Sequence, residues 1–257
     1  MKDNSNKFGW EKAIIKVLES KNGIATLKDF YKEVPILIQE TKAKNFEHNI
    51  RGYLTRLKTQ KKLIKQIGLS SYSLIDVKVE NNLFEEVKKD EFETEFLNDF
   101  PKENIHNYME GFLIELGNFK GYQTYTPDKN VIFNGKKLSE ITDYQILPDF
   151  TYKEIIESVK QIDVLWILEG FPYRTFDIEH STDFTKAFLR AYQLRYFKTK
   201  FILVADHEKK NIFEKRVKMQ PFCNCKESFL FNSYKDIFEL YKNTVLNYEL
   251  SSASGIF

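Results

Sequence analysis

Cysteine is almost missing from this chain: two occur in 257 residues, Cys223 and Cys225. A Cys-x-Cys pair with no second pair of ligands nearby does not make a zinc site. Long hydrophobic runs are missing too. The apolar stretches 164–168 and 201–205 are far too short to cross a bilayer, and the polar start Met1-Lys-Asp-Asn-Ser-Asn6 lacks the apolar segment of a signal peptide. No membrane partner and a cytoplasmic location are therefore expected. Internal repeats and low-complexity tracts are absent as well. What the chain does have is 42% apolar residues, enough for a substantial core and for two domains.

The net charge of +2 conceals a strong asymmetry. Residues 1–74 hold 15 Lys and Arg against 7 Asp and Glu, a net +8, whereas the remainder holds 24 against 30, a net −6. A cationic end argues for a polyanionic partner, although basic segments also serve as solvated faces. Within it, residues 10–18 carry apolar side chains at helical spacing up to Asn22-Gly23, a helix terminator. A second helix fits 26–34, capped by Thr26 and ended before Pro35. A third, 45–59, aligns Phe46, Ile50, Tyr53, Leu54 and Leu57 on one stripe and leaves Arg51, Arg56 and Lys58 on more exposed faces. Strands at 63–67 and 72–75 flank Gly68-Leu-Ser-Ser71, which has the composition of a hairpin tip.

Three helices followed by a hairpin resemble a winged helix over about 65 residues, with 49–56 as its recognition helix. The resemblance implies a helix in the major groove of double-stranded DNA and a wing across the backbone. Asn49, Arg51 and Arg56 would face base edges, while Lys58, Lys61, Lys62 and Lys65 would neutralise phosphates. Winged helices also dock proteins. Residues 1–76 would form this domain. Residues 76–103 then carry ten acids against four bases, with Leu83, Phe84, Val87, Phe92, Phe96 and Leu97 at near-helical intervals, so 77–103 is expected to be a helical linker.

From residue 104 the order reads helix (104–116, ending at Gly117), strand (121–126), a long excursion (127–161), strands 162–168 and 173–180, helix 184–197 capped by Ser181-Thr-Asp183, strand 201–206 and helix 233–243. A mixed sheet flanked by helices is predicted. Asp163 opens the apolar run Ile162-Asp-Val-Leu-Trp-Ile-Leu168, and Asp177 and Glu179 follow on the next strand. Buried charge is costly without partners. Residues two apart on a strand project to one face, about 7 Å apart by the strand rise, so Asp177 and Glu179 could share a hard cation. One point of geometry resists. A four-residue turn at 169–172 would leave Asp163 opposite Ile178, on the wrong face, so a bulge or a five-residue loop is required.

This order and these acids, over roughly residues 104–210, resemble the PD-(D/E)XK nuclease superfamily, whose restriction endonucleases share an αβββαβ core. The resemblance implies an α/β (α+β) nuclease domain at 104–257 in which Asp163 and Asp177 hold Mg2+, with Mn2+ as a substitute. Asp177-Ile178-Glu179 stands where the family has (D/E)-x-K, with Glu in place of Lys. A helix acid often assists, for which Glu110 is the first choice and Glu115 the next. The catalytic set is thus Asp163, Asp177, Glu179 and Glu110. His180 should point away from Glu179 and reads as a packed or hydrogen-bonded histidine rather than a base. Lys186, Arg190 and Gln193 lie on the following helix, where Gln193 or Lys186 could approach a phosphate or merely line a polar face.

Hydrolysis of a phosphodiester needs a more acidic water, a polarised phosphoryl oxygen and a stabilised leaving oxyanion, and carboxylate-held Mg2+ supplies all three. The sequence therefore points to a type II restriction endonuclease acting on double-stranded DNA without a nucleotide cofactor. A homodimer is implied by the family, since two strands must be cut. Alternatives are a repair or mobile-element nuclease of the same parts, or a DNA-binding regulator that keeps the fold without cutting.

Overall fold

A computed structural model describes residues 8–39, 45–79, 82–98 and 101–254. The chain divides into two compact units, residues 1–86 together with 247–257, and residues 87–246.

The first unit runs α1 (Trp10–Ser20), β1 (Ile24–Thr26), α2 (Leu27–Ile38), α3 (Phe46–Thr59), β2 (Ile64–Gln66) and β3 (Ser71–Leu74). The strands form an antiparallel sheet in the order β1-β3-β2. Thr26 caps α2 with a full capping box: its hydroxyl accepts from the Asp29 N–H, and the Asp29 carboxylate accepts from the Thr26 N–H. The helix does not end before Pro35, as the sequence suggested, but continues to Ile38. Leu27, Phe30, Val34 and Ile38 are all buried at helical spacing, and that burial outweighs the one hydrogen bond proline removes. Strand β1 escaped the sequence reading because three residues show no periodicity; only its pairing with β3 defines it. Trp10 of α1 stacks on Tyr53 of α3, with centroids 5.5 Å apart, and closes the helical core.

Next in sequence come α4 (Leu83–Glu86), in the first unit, and α5 (Asp90–Asn98), in the second. Of the expected linker 77–103, residues 80, 81, 99 and 100 fall outside the described residues; Leu83, Phe84, Val87, Phe92 and Phe96 are buried.

The second unit continues with α6 (Lys102–Phe119), β4 (Gln123–Tyr125), a small hairpin of β5 (Ile132–Phe133) and β6 (Lys136–Lys137), α7 (Leu138–Ile141), α8 (Lys153–Val159), β7 (Val164–Leu168), β8 (Phe171–Glu179), α9 (Thr185–Tyr192), β9 (Lys200–Ala205), α10 (Lys210–Val217), β10 (Phe229–Ser233) and the start of α11 (Tyr234–Ser254), which from residue 247 on belongs to the first unit. The mixed sheet is present, in the order β10-β9-β8-β7-β4. β4, β7 and β8 are antiparallel neighbours, and β8, β9 and β10 run parallel. The excursion is not structureless: it holds two helices and a hairpin. Strand β10 and helix α10 were not foreseen either.

Gly117 is not a helix stop. Helix α6 passes through it to Phe119, because a Cβ there would sit 2.6 Å from Trp166 Nε1 and 2.8 Å from Thr124 Cγ2. The glycine lets the helix lie close on the sheet, where Trp166 Nε1 donates to the Leu113 carbonyl at 2.9 Å. Against the other face of the sheet pack Phe184, Ala187, Phe188 and Ala191 around α9, meeting Leu165, Phe201 and Leu203. Among the described residues no helix is long and apolar enough to cross a membrane.

Candidate active site

The hairpin of β7 and β8 resolves the register conflict. Its turn has two residues, Glu169 (φ 52°) and Gly170 (φ 84°), both left-handed as a type I′ turn requires. Leu168 pairs with Phe171 and Ile167 with Pro172, but Trp166 pairs with Arg174, so Tyr173 is an extra residue in a bulge. Below it Val164 pairs with Phe176. One step further the register sets Asp163 opposite Asp177, on one face. The Ile178 N–H donates to Asp163 Oδ2 at 2.6 Å and anchors that carboxylate.

Asp177 is buried and Glu179 half-buried. Both turn toward Arg190 of α9, whose Nε donates to Asp177 Oδ1 at 3.0 Å and whose Nη2 contacts the same oxygen and lies 3.9 Å from Glu179 Oε1. Arg190 was read in the sequence as part of a polar helix face. Its signal was indirect: Arg174, the cation on their own strands, alternates to the opposite face from Asp177 and Glu179, so the acids need one from elsewhere. Lys186 is exposed, and Gln193 caps the end of α9. Asp183 Oδ1 accepts from the Thr185 N–H at 3.0 Å at the start of that helix.

Helix α6 contributes Glu110, which is completely buried; its Oε1 accepts from the Thr126 hydroxyl at 3.3 Å, and its Oε2 receives no hydrogen-bond donor among the described residues. Glu115 is separate. Five residues further on, about 140° around the helix, its Oε2 accepts from the Tyr241 hydroxyl at 2.5 Å. One turn before Glu110, His106 Nε2 lies 4.0 Å from Glu110 Oε1, and the ring lies against the Ile178 backbone, which favours its protonated form. His180 Nδ1 is 2.8 Å from the Tyr234 hydroxyl, and its ring centroid is 5.8 Å from that of His106. The sequence reading did not include His106 or Asp128, on the loop after β4, although the i, i+4 spacing of His106 and Glu110 was available.

Crowding of carboxylates governs the electrostatics. Burial, joined by the charges of Asp128 and Asp163, pushes Glu110 up to about 10. Burial pushes Asp163 up to about 7, against the Ile178 N–H and Arg190, which favour its ionised form. Asp177 rises to about 8, from burial and then the Asp163 charge, with Arg190 opposing. Glu179 is also raised by burial. One guanidinium does not neutralise so many acids, and a hard divalent cation with oxygen ligands fits the deficit and the orphaned Glu110 oxygen.

On the first unit, Arg51 and Arg56 are exposed. Arg51 Nε donates to the Tyr31 hydroxyl at 2.7 Å. Arg56 Nε lies 3.4 Å from Glu11 Oε1, and Lys61 contacts Glu11 Oε2, so α1 gathers both cations. Lys58 Nζ donates to Gln66 Oε1 at 2.8 Å and Lys65 Nζ to the Val77 carbonyl at 2.7 Å; Lys62 is exposed and Asn49 half-buried. The hairpin tip between β2 and β3 is buried and carries no cation.

Residues 86–250 match the family described as the type II restriction enzyme NmeDI C-terminal domain. With its mixed sheet and carboxylate cluster, the protein is restriction-enzyme-like. The matched segment is well over half of the 257 residues, and the chain belongs to this family. Neither a curated protein nor a solved structure gives a match.

Proposed function

We propose that this protein is a metal-dependent, sequence-specific endonuclease of double-stranded DNA, a type II restriction enzyme with a PD-(D/E)XK-type core. The observation that carries the reading is the convergence of Asp163, Asp177 and Glu179 on one sheet face beneath Arg190, with Glu110 entering from α6. The order α6-β4-β7-β8-α9-β9 supports the core assignment, and membership of a restriction-enzyme family supports the activity.

Asp163 and Asp177, assisted by Glu110, would hold Mg2+, with Mn2+ as a substitute. When bound, the cation supplies Lewis acidity at the phosphoryl oxygen and lowers the pKa of water. Glu179, half-buried and with its pKa raised by burial, is suited to orient the attacking water and accept its proton at a carboxylate oxygen. Oxygen of that water bonds to phosphorus, the bond to one bridging oxygen breaks, and the leaving oxygen takes up a proton. Arg190 holds the carboxylates of Asp177 and Glu179 in place and supplies the positive charge that a lysine at position 179 would have brought.

In the first unit, the order helix, strand, helix, helix, strand, strand and the sheet order β1-β3-β2 support a winged helix. Helix α3 then reads the target through Asn49, Arg51 and Arg56, with Lys58, Lys61, Lys62 and Lys65 on phosphates. Cutting both strands takes two active sites, as a homodimer would bring, or two visits by one.

The test is incubation of the full chain with unmethylated and methylated plasmid, with Mg2+ or EDTA, beside Asp177→Ala. Discrete fragments that require Mg2+ and vanish in the variant are expected. Salt-sensitive binding without any cutting would replace this reading with that of a DNA-binding regulator.

A further inference from the structure

We propose that His106, Glu110 and Asp128 form a second binding position, for a first-row transition cation, which shares Glu110 with the acid cluster and uses an imidazole ligand that the acids lack. Each residue offers one ligand atom, and these atoms all lie within 4.8 Å of one another. A cation held about 2.0–2.6 Å from each ligand spans pairs up to about 4–5 Å apart, so the three can close on one ion with small side-chain movements.

The local structure organises the trio. His106 and Glu110 share one face of α6, four residues apart. Asp128 is held by the turn after β4: its N–H donates to Thr126 Oγ1 at 3.1 Å, and the same hydroxyl donates to Glu110 Oε1. Thr126 therefore ties the loop to the helix. Asp128 is exposed, which leaves the position open to solvent for a cation to enter.

A second observation points to a ligand. Glu110 is completely buried, and its Oε2 receives no hydrogen-bond donor among the described residues. A buried carboxylate oxygen without a partner is costly, and the cost falls when a cation takes the place of the missing donor. The donor set also restricts the metal. Oxygen ligands alone suit Mg2+, whereas one imidazole with two carboxylates favours Mn2+, Fe2+ or their neighbours. The Ile178 backbone, whose N–H donates to Asp163 and which faces His106, lies between this position and the acids. Its part in cleavage rests on the nuclease reading above; its occupancy does not.

The experiment is Mn2+ titration of the full chain without DNA, followed by pulsed EPR. Hyperfine coupling from an imidazole 14N is expected, lost in His106→Gln and kept in His180→Gln. Asp128→Asn, on the exposed loop, should weaken the nitrogen-coupled Mn2+ about tenfold, an effect of the size common around metal sites. Bound Mn2+ without nitrogen coupling, no Mn2+ binding, or coupling that survives His106→Gln overturns the inference. If His106→Gln does not fold, as judged by circular dichroism, Asp128→Asn decides. Mg2+-dependent cleavage without nitrogen coupling would remove this position and leave the nuclease reading standing, and coupling without cleavage would do the reverse.

Discussion

Arg190 Nε donates to Asp177 Oδ1 at 3.0 Å, so the one guanidinium among the clustered acids lies on the most deeply buried acid of β8. Its removal should affect charge and geometry together. Arg190→Ala is expected to lower the cleavage rate by about 10²–10³, the usual loss when one preorganised donor is removed. Arg190→Lys should recover part of it, since a point charge replaces the fork without its second donor. Steady-state cleavage at saturating Mg2+ measures both. Equal activity of Arg190→Ala and the parent chain would refute the role.

The raised acids make a prediction about pH. Asp163 is held at about 7 and Asp177 at about 8, whereas in the unfolded chain an aspartate titrates near 4. Between those values the folded chain keeps protons that the unfolded chain releases, so metal-free stability must fall as pH rises through about 4 to 8. The melting temperature in EDTA should therefore decline between about pH 5 and pH 8.5. Added Mg2+ should reverse much of the decline, because it binds the deprotonated acids of the folded state. Asp177→Asn should flatten the slope. A melting temperature in EDTA that rises over this range would contradict the argument.

Glycines in helices give a paired test of packing. A Cβ on Gly111 would lie 2.0 Å from Phe133 Cδ2, whereas a Cβ on Gly52 of α3 would meet nothing within 4 Å. Gly111→Ala should cost about 1–3 kcal/mol through overpacking. Gly52→Ala should stabilise by about 0.5–1 kcal/mol, because alanine lowers the backbone entropy lost in an open helix. Urea denaturation measures both, and opposite signs are the expected result.

Much of this was legible in the sequence wherever a local rule operated. Thr26 announces its capping box, Asn22-Gly23 its helix end, and the two-residue spacing of Asp177 and Glu179 their shared orientation toward Arg190. Counting along the β7–β8 hairpin even exposed the need for an irregularity, but not that Tyr173 would provide it, because a bulge is set by pairing rather than by residue type. The failures are of one kind. Pro35, Gly117, β1 and β10 depend on what a distant segment places beside them, and local composition does not carry that information. Arg190, His106 and Asp128 were missed for the same reason, as each reaches the acids from a different element.

Ile178 joins the two groups of ligands through its main chain alone, with its N–H on Asp163 and its backbone facing His106. Its side chain takes no part in either contact. The connection is therefore genetically silent: a scan of alanine or any other side chain at position 178 would pass over it. Of the genetically encoded residues only proline, lacking the N–H, would cut the bond to Asp163. Backbone chemistry, such as an ester in place of that amide, is the tool that makes the connection visible.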